Sequence, residues 1–365
     1  VETCLEGIQE GAMTGKLPIG PFDAAFRLPL LVECDVDSGR VTDATVKRLA
    51  APTDIGLAWE GLSSRDGAVL ASYVCARSAM HHACAFCEAV EDAQGTEVSE
   101  GHAAMRVVLC EWERIASHLE VVSDVARALE DDLVYGRPRR YVSRIRTAFE
   151  GLCFNAFGQG VVVPGGVDVS GDPGALGWLD DISKPLRRDT RSWARKLRMS
   201  RARLAAGSLS MGDLPEGHPP APAFRASGST ADLRSGEDAR GFYAGMGYRA
   251  VSRPGGTSMD RVMLLLDEIM ASLDLVSRAR GSAAASVLGP DEGSAGKGSS
   301  SGASESPHGA IEYRVLLGAE GRLMRVRSSS AADDVAGLAG KALRGHAFED
   351  AVPALISLNL CAPCA

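Results

Sequence analysis

Apolar positions in the middle of the chain recur with a helical period. Val108, Trp112, Ile115, Leu119, Val122, Ala126 and Leu129 alternate spacings of four and three, which lays a continuous apolar seam along one long helix. That seam needs partners, and Met80–Asp92, Tyr141–Phe157, Trp178–Ala206 and Met259–Arg280 are predicted as helices packed around it. Near the N-terminus the period changes to two. From Leu30 to Lys47 apolar and polar residues alternate around Asp37-Ser38-Gly39, the pattern of a β-hairpin. A second alternating pair, Ile311–Leu317 and Arg322–Arg327, flanks Gly318-Ala-Glu-Gly321 and leads into a predicted helix over Ala331–Arg344. Gly281–Gly302 is rich in Gly, Ser and Ala; such a composition buries too little to offset its ordering entropy and is predicted as a mobile loop. The pattern holds no internal repeat. It describes one domain over residues 1–365, α+β and mainly α-helical, a helix bundle with small N-terminal and C-terminal β-hairpins.

Composition narrows the class. With 365 residues, 45% of them hydrophobic, the chain can bury a large core. A net charge of −8 and an aromatic content of 5% argue against a nucleic-acid surface. The basic stretch from Arg187 to Arg203 is the exception. It reads first as a solvated helix face, and second as a docking strip for an acidic partner or lipid headgroups. No run approaches the roughly 18 consecutive apolar residues of a membrane span, so membrane association is expected through partners. Val1-Glu-Thr-Cys-Leu-Glu has neither a basic nor an apolar signal region and lacks a starting Met; no secretory signal is expected, and residues may precede it. Nine cysteines, odd in number and irregularly spaced, read as reduced thiols.

Candidate chemistry lies in Cys75-Ala-Arg-Ser78 and Cys361-Ala-Pro-Cys364. Thiolates gathered from distant segments select soft transition metals. A local zinc knot of His81, His82, Cys84, Cys87 and Cys75 is the alternative, but a helix here splays these side chains over different faces. Cys84, Cys87 and Cys110 therefore read as small core residues. His118 lies off the apolar seam and reads as a satisfied structural histidine. Glu111 and Arg114 stand three apart and are expected to pair as a surface or interhelical bridge. Gly165-Gly166 reads as a tight turn.

Several motifs now combine. Tyr73-Val-Cys-Ala-Arg-Ser-Ala-Met-His-His-Ala-Cys-Ala-Phe-Cys-Glu-Ala-Val-Glu91 resembles the metal-binding signature of nickel-iron hydrogenase large subunits, Cys-x-x-Cys followed by a His and an apolar helix, with His82 in the histidine's place. Glu111-Trp-Glu-Arg-Ile-Ala-Ser-His-Leu119 is similar to a helix shared by membrane-bound hydrogenases and the 49 kDa quinone-site subunit of respiratory complex I. Val162-Val-Pro-Gly-Gly-Val167, Phe224-Arg-Ala-Ser-Gly-Ser-Thr-Ala-Asp-Leu-Arg234, Asp260-Arg261 with Glu268 and Ser272-Leu273, and Asn359-Leu-Cys-Ala-Pro-Cys364 follow in the order of that family. The membrane-bound, complex-I-like (group 4) branch is the most similar.

The resemblance implies a metal site of Cys75, Ser78, Cys361 and Cys364 holding nickel and iron: Cys75 and Cys361 as terminal ligands, Cys364 as one bridge, and Ser78 in the place of the other bridging Cys. A hydroxyl is a harder donor that stays protonated near neutral pH, so iron is expected to be held poorly. His308, in Pro307-His308-Gly309, stands where the family hangs an Arg over the open metal position, and Asn359 where it has an Asp. His82, His308 and Asn359 are thus the implied catalytic positions. In Gly20-Pro21-Phe22-Asp23…Leu28-Pro29, Leu28 replaces a Glu that passes protons and Asp23 the quinone-site His. The implied partners are a small subunit carrying a [4Fe-4S] cluster and antiporter-like membrane subunits, with the chain peripheral on the cytoplasmic face of the cell membrane. The implied function is an oxidoreductase subunit, of hydrogenase or NADH dehydrogenase type, with hydrogen turnover reduced or lost. A retired scaffold subunit, or a zinc or mononuclear nickel protein, are the alternatives.

Overall fold

The computed structural model describes residues 13–20, 30–48 and 56–361, apart from 133, 201, 237–238, 240, 284–289 and 291–295. The N-terminal hairpin forms where the alternation puts it, between β2 (Leu30–Asp37) and β3 (Arg40–Arg48), and β1 (Gly15–Ile19) adds a third antiparallel strand on the β2 side. Ser38 and Gly39 both take positive φ, 49° and 74°, which a two-residue turn between twisted strands requires. Val32, Cys34, Val36 and Val41 turn inward.

The helical body begins with α1 (Ser64–Ser72), α2 (Ala79–Gln94) and α3 (Glu100–Ala128), followed by α4 (Gly136–Cys153). After the two-residue strands β4 (Val162–Val163) and β5 (Gly166–Val167) come α5 (Ala175–Leu197), the short α6 (Pro222–Arg225) and α7 (Ser258–Ala283). Each predicted bundle helix is present, with ends shifted by up to five residues except that the helix expected over Trp178–Ala206 stops at Leu197 and gives way to short 3-10 turns at Arg198–Ser200 and Arg203–Ala205. Every seam residue from Val108 to Leu129 is buried, and α3 packs along α7 at the centre of the main core. The Gly165-Gly166 turn joins β4 to β5, with φ of 83° and 151°. A Cβ on Gly166 would stand 2.5 Å from the His102 ring. The basic residues of α5 lie off its buried face of Leu179, Ile182, Leu186 and Trp193, as a solvated face requires, and Arg187 reaches Asp274 of α7 at 2.8 Å.

One prediction is corrected. Part of the expected loop Gly281–Gly302 is a strand, β6 (Gly298–Ser306), paired in register with β7 (Gly309–Leu317), which pairs with β8 (Leu323–Ser330). The residues 284–289 and 291–295 of that segment lie outside the described set. Small residues are needed in β6 because it lies directly on α2. A Cβ on Gly302 would stand 2.3 Å from the Ala85 carbonyl oxygen, and one on Gly298 2.9 Å from that of Ala93. A composition that looks like a linker is here a close-packing surface. The helix expected over Ala331–Arg344 is split at Leu338 into α8 (Ala332–Gly337) and α9 (Ala339–Leu343). The chain then forms α10 (Ala351–Ser357) and turns back into the body. Among the described residues, no helix is long and apolar enough to cross a membrane.

Candidate metal centre and the charge network beneath it

The centre is built on the N-terminus of α2. Ser78 occupies the cap position but its side chain makes no capping bond. The donors it would satisfy go instead to Glu113 of α3, which accepts from the Met80 and His81 amides at 3.0 and 3.2 Å. A carboxylate at a helix N-terminus also meets the positive end of the helix dipole. Glu113 thereby frees the Ser78 hydroxyl, which is fully buried and lacks a hydrogen-bond partner among the described residues. Leaving a buried hydroxyl unsatisfied costs roughly 1–3 kcal/mol.

The C-terminal segment returns to this point. Cys361 Sγ lies 3.5 Å from Cys75 Sγ, and both are buried in a small cluster with Ala332. Asn359 sets the approach: it ends α10 in the left-handed region, φ 55°, a conformation Asn tolerates better than other side-chain-bearing residues. Its amide donates to the Pro307 carbonyl at 2.8 Å. Its backbone carbonyl accepts from His308 Nδ1 at 3.1 Å, and Arg77 donates to its Oδ1 at 3.1 Å. Burial, with Arg77 nearby, lowers the His308 pKa to about 3. His308 is therefore neutral at pH 7, and its Nε2 is buried without a partner among the described residues. His82 Nδ1 shares a hydrogen bond with the Tyr313 hydroxyl at 2.9 Å, and burial lowers its pKa to about 4. It serves the interior.

The structure thus brings Cys75, Ser78 and Cys361 into one corner with His308, Asn359 and Arg77 around them. Cys364, Leu28 and Asp23 lie outside the described residues. Two thiols 3.5 Å apart fit one edge of a tetrahedral shell around a single ion with metal–sulfur bonds of about 2.3 Å. They do not complete it: among the described residues, no three His, Cys, Asp or Glu side chains converge to hold an ion. Nor does the donor set fit a nickel-iron pair, because Ser78 supplies a hydroxyl where a bridging thiolate is needed. The zinc-knot alternative falls apart, as its geometry predicts. His81 goes to Glu113, His82 to Tyr313, and Cys84 to Cys110.

Below the thiols lies a buried network of four carboxylates, Glu111, Asp232, Glu268 and Glu305, and three guanidiniums, Arg114, Arg225 and Arg234. Glu111 accepts from Arg114 at 3.2 Å, Arg234 at 3.3 Å, Tyr243 at 2.7 Å and the Ser272 hydroxyl. Of the surface and interhelical alternatives for Glu111 and Arg114, the interhelical one holds: both are fully buried, and Glu111 links α3 to α7 and to the Asp232–Arg234 segment. Burial drives the Glu111 pKa up, but the two arginines outweigh it and hold it near 2. Arg225 binds Glu268 at 2.6 Å and Glu305 at 2.7 Å, and Arg234 binds Asp232 at 2.7 Å. Arg114 also donates to the Glu305 and Ser306 carbonyls of β6. With one carboxylate in excess, burial raises the proton affinity of Glu305. His118, expected as a satisfied structural histidine, is satisfied at one ring nitrogen only: Nε2 lies 2.8 Å from Glu268, Nδ1 is buried without a partner among the described residues, and burial lowers the pKa to about 4. His81 is held as a neutral tautomer: Nδ1–H donates to Glu113 at 2.5 Å and Nε2 accepts from Arg114 at 3.3 Å. Burial lowers its pKa to about 4 despite that carboxylate.

Sequence reasoning missed Glu113 as the cap of α2 and Arg77 as the cation over Asn359. Only the three-dimensional return of the C-terminal segment reveals Arg77. For Arg225, Asp232, Arg234 and Glu268 the motif order was informative, but their mutual pairing was not legible from spacing.

The helical body with its terminal sheets and the returning cysteine segment is similar to a large subunit of hydrogenase type. By sequence the chain is a homologue of the membrane-bound hydrogenase subunit alpha of Pyrococcus furiosus, 26% identical over 387 aligned positions that cover 96% of this chain and 86% of that protein. No protein-family model matches the chain. Its fold is that of a chain in the membrane-bound sulfane sulfur reductase, an archaeal respiratory membrane complex, with a TM-score of 0.83, 20% identity and coverage of 96% of this chain and 98% of the other.

Proposed function

We propose that this chain is the large-subunit component of a membrane-associated, complex-I-like oxidoreductase, taking electrons from an iron–sulfur small subunit, with hydrogen turnover reduced or lost. Membership of a membrane-bound respiratory assembly is supported by the alpha-subunit homologue and by the shared fold. The loss of hydrogen turnover is carried by one observation: Ser78 is buried at the corner formed with Cys75 and Cys361, its hydroxyl without a partner among the described residues. A hydroxyl there cannot do the work of a polarisable bridging sulfur.

The surrounding side chains argue the same way. His308 replaces a permanent cation with a neutral imidazole, whose Nδ1–H is committed to a backbone carbonyl. Asn359 has no charge and is held by Pro307 and Arg77. Arg77 donates to Asn359, and its other contacts are Ser117 at 3.5 Å and Glu120 at 3.7 Å. A second reading, one thiophilic ion such as zinc or nickel, is favoured by the 3.5 Å thiol pair. Such an ion would supply Lewis acidity at the two sulfurs. Elemental analysis of the native complex, isolated through a tag on this chain, tests both readings. Nickel together with iron in excess of the small subunit's cluster, with hydrogen evolution, would overturn the proposal; nickel or zinc with no such excess iron would select the second reading.

A further inference from the structure

A second pair of thiols stands elsewhere on α2 and α3. Cys84 Sγ lies 3.4 Å from Cys110 Sγ. Cys110 is buried, whereas Cys84 is only partly so. Both line an open, largely apolar cleft of about 460 Å³, together with Glu88, Val107, Leu233 and Tyr243. The cleft's cations are already engaged. Arg106 is held bidentately by Glu91 and donates to the Val163 and Gly166 carbonyls, while Arg234 is held by Asp232 and Glu111. Among the described residues an anionic ligand therefore finds no unspent positive charge there, and the reactive chemistry that remains is sulfur.

We propose that Cys84 and Cys110 form a thiol–disulfide exchange site that accepts small organic disulfides from this cleft. Cys84, the more accessible thiol, loses its proton and attacks one sulfur of the disulfide RSSR; the S–S bond breaks, one RS⁻ leaves and takes up the proton. Cys110 then attacks Cys84 Sγ in the mixed disulfide, the second RS⁻ leaves protonated, and a Cys84–Cys110 bond remains. Two protein thiols are oxidised and one disulfide is reduced to two thiols, so atoms and electrons balance. The order follows from access, since attack requires approach to the sulfur and Cys84 is the less buried of the two. Closure asks the sulfurs to move from 3.4 Å to a bond of about 2.05 Å, within reach of side-chain rotation. The product ties α2 to α3.

The test uses the full chain, reduced, desalted and exposed to bis(2-hydroxyethyl) disulfide, then quenched with N-ethylmaleimide and mapped by non-reducing peptide mass spectrometry. Wild type is expected to release two thiols per cross-link and to yield a Cys84–Cys110 linked peptide. Cys110→Ser is expected to stop at a mercaptoethanol adduct on Cys84, and Cys84→Ser to lose both products. An unlinked Cys84–Cys110 pair in wild type, or an adduct on Cys110 in Cys84→Ser forming as fast as the wild-type cross-link, overturns the proposal. The wild-type map needs no variant to fold, and a link between Cys75 and Cys361 is read separately from its own peptides.

Discussion

The charge network and the sulfur corner share α2 and α3, yet they are finished to different standards. In the network each carboxylate and guanidinium has a protein partner, and only His118 Nδ1 is left over. In the corner, Ser78 Oγ, Arg77 Nε and His308 Nε2 are all buried without hydrogen bonds among the described residues. Buried charges left unpaired are too costly to persist, so a network that holds the fold must be closed. The two regions differ in how far their polar atoms are satisfied within the chain.

The largest effect is expected from breaking the closed side. Arg225→Met leaves Glu268 and Glu305 without their strongest partner, and should cost about 3–5 kcal/mol in urea unfolding. A loss below about 1 kcal/mol would mean that the network is not holding α7 to β6.

Acid probes both regions together. His81, His82, His118 and His308 have folded-state pKa values of about 3 to 4, below the unfolded value near 6.5. A group depressed in this way binds protons more readily in the unfolded chain, so its stabilising contribution is present above pH 6.5 and is lost as pH falls from there toward 4. At pH 5 the loss is at most about 2 kcal/mol per histidine. Urea midpoints should drop between pH 7.5 and pH 5, and His118→Gln should flatten that slope. Stability that is constant over this range would contradict the buried neutral assignments.

A smaller effect tests the seat of the network on β6. Gly302→Ala drives a methyl group to 2.3 Å from the Ala85 carbonyl oxygen, and should cost roughly 1–3 kcal/mol through a shifted strand. The smallest effect belongs to the open side. Ser78→Ala removes an unsatisfied hydroxyl and should leave stability unchanged or raise it by up to about 1 kcal/mol. Clear destabilisation would show that Ser78 has a partner in the chain.

The bundle was legible in the sequence because its seam repeats every three to four residues, and both hairpins because their alternation ends in turn residues. Gly298–Gly302 was not legible. Glycine and serine selected for close contact with α2 have the same composition as a linker, and only the neighbouring helix distinguishes them. At the candidate site, the meeting of Cys75 and Cys361 followed from motif order alone. The capping role of Glu113 and the contact between Arg77 and Asn359 join residues 32 or more positions apart, and no local period encodes such pairs.

The central claim is that a single missing sulfur separates this corner from a nickel-iron site. Its most direct measurement is nickel and iron per chain in the native complex, wild type against Ser78→Cys, each produced with a hydrogenase maturation system. The account predicts no nickel-iron pair in wild type and a gain of both metals in the variant, with hydrogen turnover still weak because His308 and Asn359 are unchanged. Stoichiometric nickel and iron in wild type, with hydrogen evolution at the variant's rate or above, would contradict it.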